Sequence, residues 1–225
     1  VVAGHLSLSN PGPQAQIRTV TRAVTHPDYS GSVPVTLCPF GGPKPHIRST
    51  LTVFMRKSFT YAARANPFHS SVVNDITVVT VDPPFEFNEF VGPVTLALDG
   101  QQPSTGRGAC TASGWGATLT GGASNELLYV NIDFIDDETC MEMWAPDGSS
   151  PIPEQNICAG VEEGFHTVCY GDSGGPMVCD ADDGGRYLFG STSWGPSNCG
   201  IPERPAVWAE VPYFTEFILE QMEGA

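Results

Sequence analysis

The chain has 225 residues, 40% hydrophobic and 16% charged, and its 25 acidic against 10 basic residues give a formal charge of −15. That length suits one large domain or two small packed ones with a real core, and the acidity excludes a surface built to grip nucleic-acid phosphates, which needs a basic face. No apolar run approaches the roughly 18 residues of a membrane span, no stretch reads as a signal peptide, and four Trp with twelve Phe exclude global disorder.

The chain opens on Val1-Val2-Ala3-Gly4, and a turn follows at His26-Pro27-Asp28-Tyr29. Between 29 and 74 there is no Asp or Glu, yet Lys44, Arg48, Arg56, Lys57 and Arg64 lie there, half of the ten basic residues. The same stretch holds Cys38 and the turn-rich run Pro39-Phe40-Gly41-Gly42-Pro43. Three readings of it stand: a basic loop that attracts acidic partners, a long solvated insertion, or sequence foreign to the native coding frame, such as a retained intron.

Further on, 76–81 is a β-branched run ended by Pro83-Pro84, and 127–135 alternates in the manner of a strand. Met177-Val178 and Tyr187-Leu188-Phe189 each follow a glycine-rich turn. Many short strands between turns predict an all-β barrel or sandwich. A single helix is predicted near the end, where Val211, Phe214, Phe217, Ile218, Leu219 and Met222 recur at helical spacing.

Seven cysteines stand at 38, 110, 140, 158, 169, 179 and 199. They form no C-x-x-C pair of the kind zinc sites favour, so they fit a disulfide framework in an oxidising compartment. The odd count leaves one without an intrachain partner, and Cys38 stands apart.

The strongest motif is Gly171-Asp172-Ser173-Gly174-Gly175-Pro176. Its glycines let the backbone turn sharply and expose a hydroxyl beside N–H groups able to stabilise an oxyanion in acyl transfer. Around it, in order, stand Val1-Val2-Ala3-Gly4, His26-Pro27-Asp28-Tyr29, Asn74-Asp75-Ile76, the run from Cys110 to Gly116, Ile157-Cys158-Ala159-Gly160, Cys169-Tyr170 and Ser193-Trp194-Gly195. This set resembles the chymotrypsin-like (trypsin-fold) serine proteases over the whole chain outside roughly 33–67.

The resemblance implies an all-β protein of two packed six-stranded antiparallel barrels with a C-terminal α-helix. The N-terminal barrel (1–109) would be incomplete, with an anomalous insertion at about 33–67; the second barrel and helix would occupy 110–225. It pairs Cys110 with Cys179, Cys140 with Cys158 and Cys169 with Cys199. It makes Ser173 the nucleophile and Asp75 the carboxylate that orients a histidine. The N–H groups of Gly171 and Ser173 would form the oxyanion hole, and Asp172 would pair with a new N-terminus after zymogen cleavage. The main chain of Ser193, Trp194 and Gly195 would bind extended substrate.

Thr167 matches the floor of the primary specificity pocket, and Gly195 and Ala206 match its walls. With no carboxylate at the floor, the resemblance implies apolar side chains at the cleaved residue. The family's calcium loop would fall near 5–10, which lacks a carboxylate, so no metal is expected, and no cofactor. The implied protein is a secreted endopeptidase, a monomer, acting on proteins or peptides, open to protein protease inhibitors and binding neither nucleic acid nor membrane.

One departure is serious. The family's histidine sits in an Ala-Ala-His-Cys context ahead of the segment matched by Val1, and no such sequence occurs here. His5, His26, His46, His69 and His166 each read as solvated or structural. We therefore expect a chain without its histidine segment and the first strands of its N-terminal barrel, in which Ser173 is a weak nucleophile and strand edges are left unpaired. In one alternative, Val1 is a cleaved N-terminus inserted beside Asp172, with the base near His46. In another, the chain is a non-catalytic homologue, a binding or regulatory module on the same fold.

Overall fold

The computed structural model describes residues 1–30, 72–161 and 163–223, together with the backbone of 50–53. Its N-terminal half holds a two-stranded ribbon, β1 (Val2–Ala3) with β2 (Gln16–Ile17), and a sheet in which β5 (Thr77–Asp82) lies between β3 (Thr19–Thr25) and β4 (Thr50–Val53). Where the sequence led us to expect an incomplete barrel, the described residues form this ribbon and sheet. Thr50–Val53, inside the stretch set apart at 33–67, is a strand paired antiparallel to β5.

The second half is a closed antiparallel barrel. Its strands are β6 (Cys110–Gly114), β7 (Leu128–Ile135), β8 (Asn156–Gly160), β9 (Pro176–Asp180), β10 (Arg186–Trp194) and β11 (Ala206–Glu210), in the spatial order β10-β11-β8-β7-β6-β9. Closure removes the free edges that would otherwise invite further pairing. Phe189, Trp208, Met177, Ile157 and Ile132 fill its interior. Gly190 is required there: a Cβ on it would stand 2.9 Å from Trp208 Cβ.

Two strands show why their apolar residues follow no strict alternation. Successive side chains of a strand face opposite sides. In β5 and the residue before it, Ile76 and Val78 face one cluster, while Val79 and Val81 face another with Phe85 and Val91. In β10, Leu188 joins Ile76 and Val78, while its neighbour Phe189 points into the barrel. A strand buried on both faces shows no regular apolar-in, polar-out alternation.

The shared cluster is closed by α2 (Val211–Glu223), through Val211, Phe214 and Ile218. The helix therefore covers β5 of the N-terminal sheet as well as β10. Leu219 and Met222 of the anticipated stripe are 44% and 40% exposed. A second helix, α1 (Asp137–Trp144), corrects the expectation of one. Its apolar face is only Cys140 and Trp144, one turn apart, packed on Cys158 and Val207, too short a pattern to read as periodic. Asp136 caps it, accepting from Thr139 N at 2.9 Å and Thr139 Oγ1 at 2.8 Å. Asp136→Ala should cost about 1 kcal/mol of stability, read from the urea midpoint.

Disulfides join Cys110 to Cys179, Cys140 to Cys158 and Cys169 to Cys199. Each closes a loop and narrows the unfolded ensemble by roughly 2–4 kcal/mol. No helix among the described residues is long and apolar enough to cross a membrane.

Candidate active site

Asp75 lies just ahead of β5 and is 7% exposed. Asn74, with φ +51°, turns the chain into it, and Ile76 N–H donates back to Asn74 O at 2.8 Å. The carboxylate meets the second barrel directly: Ser193 Oγ on β10, itself buried, donates to Asp75 Oδ2 at 2.5 Å. Tyr29 is close enough for the Asp75 charge to act on it. Burial first, and that charge second, push its phenol above the usual range.

Ser173 sits on consecutive tight turns between Cys169 and β9. Asp172 N–H donates to Cys169 O at 3.0 Å, and Gly175 N–H to Asp172 O at 2.8 Å. Gly171 takes φ +100° and Gly174 φ +80°, left-handed values that favour glycine. This turn is sewn onto β10: Gly174 N–H donates to Thr192 O at 2.9 Å, and Thr192 N–H to Gly175 O at 3.0 Å. Thr192 and Ser193 are consecutive. One dipeptide of β10 thus holds the turn that carries Ser173 and, at the next residue, the carboxylate of Asp75.

Asp172 points the other way. Its carboxylate accepts from Gly116 N at 2.8 Å and from Cys169 N at 2.9 Å. The cradle is tight: a Cβ on Gly114 or Gly116 would overlap the Asp172 side chain. The Val1 ammonium donates to Arg18 O at 2.8 Å. The inserted N-terminus considered from the sequence is therefore not the arrangement here.

Of the expected pocket residues, one lines the larger cavity among the described residues. Thr167 lines a cavity of about 640 Å³ together with Asp172, Tyr170, Phe165, Leu119 and Ser197. Gly195 and Ala206 are not among its walls; they face each other, a Cβ on Gly195 falling 3.8 Å from Ala206 Cα. Tyr170 Oη donates to Ser197 O at 2.6 Å, beside the Cys169–Cys199 bridge, so two links tie these loops. Trp194 ends β10 and packs on Trp144 of α1, ring centres 4.8 Å apart. That contact went unread because α1 did.

Two of the described histidines pack away from this site, and the third lies at the cavity that Thr167 and Asp172 line. His5 stacks on Trp115 at 4.7 Å, His26 packs against Phe214 and Phe217, and His166 lies on the cavity wall. His46, His69 and Cys38 fall outside the described residues.

A second cavity, of about 570 Å³, is acidic: Asp99, Asp136, Asp137, Glu154 and Glu210 line it. Burial, then the charges of Asp137 and Asp99, push the Glu210 carboxyl up to about 8. Asp137 is raised by burial and then by Asp136 and Glu154, without a contribution from Glu210. Among the described residues no set of three His, Cys, Asp or Glu side chains is placed to hold a metal ion.

The family model described as Trypsin matches residues 49–218, a span that begins within the stretch set apart at 33–67. Trypsin eta of Drosophila melanogaster is 38% identical over 153 residues, 68% of this chain and 55% of that protein. Kallikrein 1-related peptidase b3 of Mus musculus is 30% identical over 221 residues, 97% of this chain and 70% of that one. Among solved structures, neuropsin, a serine protease expressed in the limbic system of mouse brain, superposes with a TM-score of 0.69 at 27% identity, covering 98% of this chain and 78% of that one. The chain spans about half the length of the Drosophila relatives it matches.

Proposed function

The chain belongs to the trypsin family of serine proteases, and from that premise we propose that its chemistry is peptide-bond hydrolysis through an acyl-enzyme on Ser173. Ser173 Oγ attacks the scissile carbonyl and loses its proton to a histidine, which passes it to the leaving amine; water then releases the acyl group by the same route. The N–H groups of Gly171 and Ser173 receive the oxyanion. Asp75, buried and held by Ser193, orients the histidine and stabilises its charged form. The observation that carries this reading is the β10 dipeptide, with Thr192 holding the Ser173 turn and Ser193 holding Asp75.

The finer parts of the reading follow from chemistry. Thr167 offers no carboxylate to a basic side chain, so apolar residues are preferred at the cleaved position, with Gly195 and Ala206 setting the width. Disulfide-rich chains persist in oxidising compartments, which supports secretion. Proteins and peptides are the substrates, protein inhibitors the competitors, and the working unit is a monomer. Asp172 would exchange its amide partners for a freed N-terminal ammonium on activation.

The 225 residues contain no Ala-Ala-His-Cys motif. By themselves they leave Ser173 without the family's base, and loss of that group in a serine protease lowers turnover by about 10⁶. The same observation favours a second reading, a non-catalytic binding or regulatory module. A fluorophosphonate probe on the natural protein separates the two. The expected result is covalent labelling of the peptide that contains Ser173, absent in Ser173→Ala. No labelling of the natural protein gives the binding module precedence.

A further inference from the structure

We propose that Gln155 is a positioning residue for Asp75, acting through the backbone of Asn74. The proposal rests on the catalytic reading of Asp75 given above. Its starting point is the conformation of Asn74, whose φ of +51° lies in the left-handed region. Asparagine tolerates that region better than other non-glycine residues, yet such a residue stays there only when its surroundings hold it.

Three bonds hold it. Asn74 N–H donates to Gln155 Oε1 at 2.9 Å, Asn74 Nδ2 donates to Asp28 O at 3.1 Å, and Asn74 O accepts from Ile76 N at 2.8 Å. The last two come from Asn74's own half of the molecule. Among the described residues, Gln155 alone reaches across, from the turn before β8, 81 residues away in sequence. With Asn74 only 8% exposed, its N–H depends on that partner for a hydrogen bond.

Gln155 is itself fixed. Its N–H donates to Ile152 O at 2.9 Å, its carbonyl accepts from Glu210 N at 2.9 Å, and its Nε2 meets Tyr213 Oη at 3.5 Å. The side chain is a strut from the junction of β11 and α2 to the residue that precedes Asp75. Ser193 fixes the carboxylate end of Asp75 from β10, and Gln155 fixes the backbone end from β8 and α2. Both grips come from the barrel that carries Ser173, and they tie Asp75 to the half of the molecule that holds the nucleophile. Without the strut, Asn74 can relax from its left-handed turn, and the carboxylate shifts against the base it must orient.

The test uses the natural protein, as wild type, Gln155→Leu and Gln155→Glu. Glutamate keeps an oxygen that accepts from Asn74 N–H; leucine keeps the bulk and removes the acceptor. Three quantities are read: the rate of Ser173 labelling by a fluorophosphonate, kcat and KM on an apolar peptide substrate, and the urea midpoint. A displacement of about 1 Å in a catalytic array costs up to about 10²-fold. Gln155→Leu should therefore label tens of times more slowly and lose kcat at unchanged KM, with Gln155→Glu close to wild type. Amide exchange on the wild-type protein supplies a measurement free of any folding defect in the variants: the Asn74 N–H should be protected. Wild-type labelling that persists at full rate in Gln155→Leu, or an unprotected Asn74 N–H, overturns the role of Gln155 and leaves the protease reading standing. A wild-type protein that does not label overturns the catalytic reading, and the positioning role with it.

Discussion

At pH 9 the Glu210→Gln variant should be more stable than its parent by several kcal/mol, and at pH 4 the two should be level. Glu210 ends β11 beside Asp99 and Asp137, and burial holds its carboxyl up to about 8, against 4.5 for a free glutamate. The folded chain therefore binds this proton more tightly than the unfolded chain. The stability so gained is full below about pH 4.5 and is lost as pH rises through about 8. At about 1.4 kcal/mol per unit, that window caps the effect at about 5 kcal/mol. Glutamine keeps the neutral shape and carries no proton to lose. Urea midpoints of both proteins at pH 4, 6, 8 and 9 give a difference curve in which the other groups cancel. Asp137 is shifted in the same direction, and Asp136, Asp147 and Asp183 in the opposite one. Parallel curves from pH 4 to 9 would sink the assignment.

Gly116→Ala is expected to dislodge Asp172, with a loss of roughly 2–4 kcal/mol and of most fluorophosphonate labelling at Ser173. The new methyl would stand 2.5 Å from Asp172 Cγ and Oδ2, closer than carbon and oxygen can approach. The carboxylate must swing out and give up the Gly116 and Cys169 amides. Asp172 is bonded in sequence to Ser173, and its own carbonyl anchors Gly175, so the catalytic turn moves with it. Gly92→Ala is the control, because nothing lies within 4 Å of a Cβ there; it should leave both the urea midpoint and the labelling rate where they were. Equal behaviour of the two variants would mean that Asp172 is not clamped as described.

What could be read from the sequence was local. The Ser173 turn announces itself by its glycines, β7 by alternation and α2 by its apolar spacing. β5 and β10 were visible as apolar runs, but which residue faced which core was not, because a doubly buried strand carries no alternation to reveal its faces. α1 was missed although Asp136 and the acidic pair Asp137-Glu138 are a start signal, since two apolar residues one turn apart make no period. Contacts formed only by folding left no trace. Ser193 and Asp75 lie 118 residues apart, Gln155 and Asn74 lie 81 apart, and no spacing rule connects them.

The cluster beneath α2 also sets an order of events. Ile76 and Val78 leave the ribosome long before Leu188, and both wait on Val211, Phe214 and Ile218 to bury them. Until residue 218 has emerged, the core that the two halves share is not closed, and part of the inner face of β5 stays wet. Domains emerge and fold in sequence during synthesis, and apolar surface left open in that interval is where chaperones bind and misassembly starts. Folding here is thus limited by contacts of long sequence separation, which are slow to form. These two halves should gain protection against added protease together, in one late step, when α2 docks.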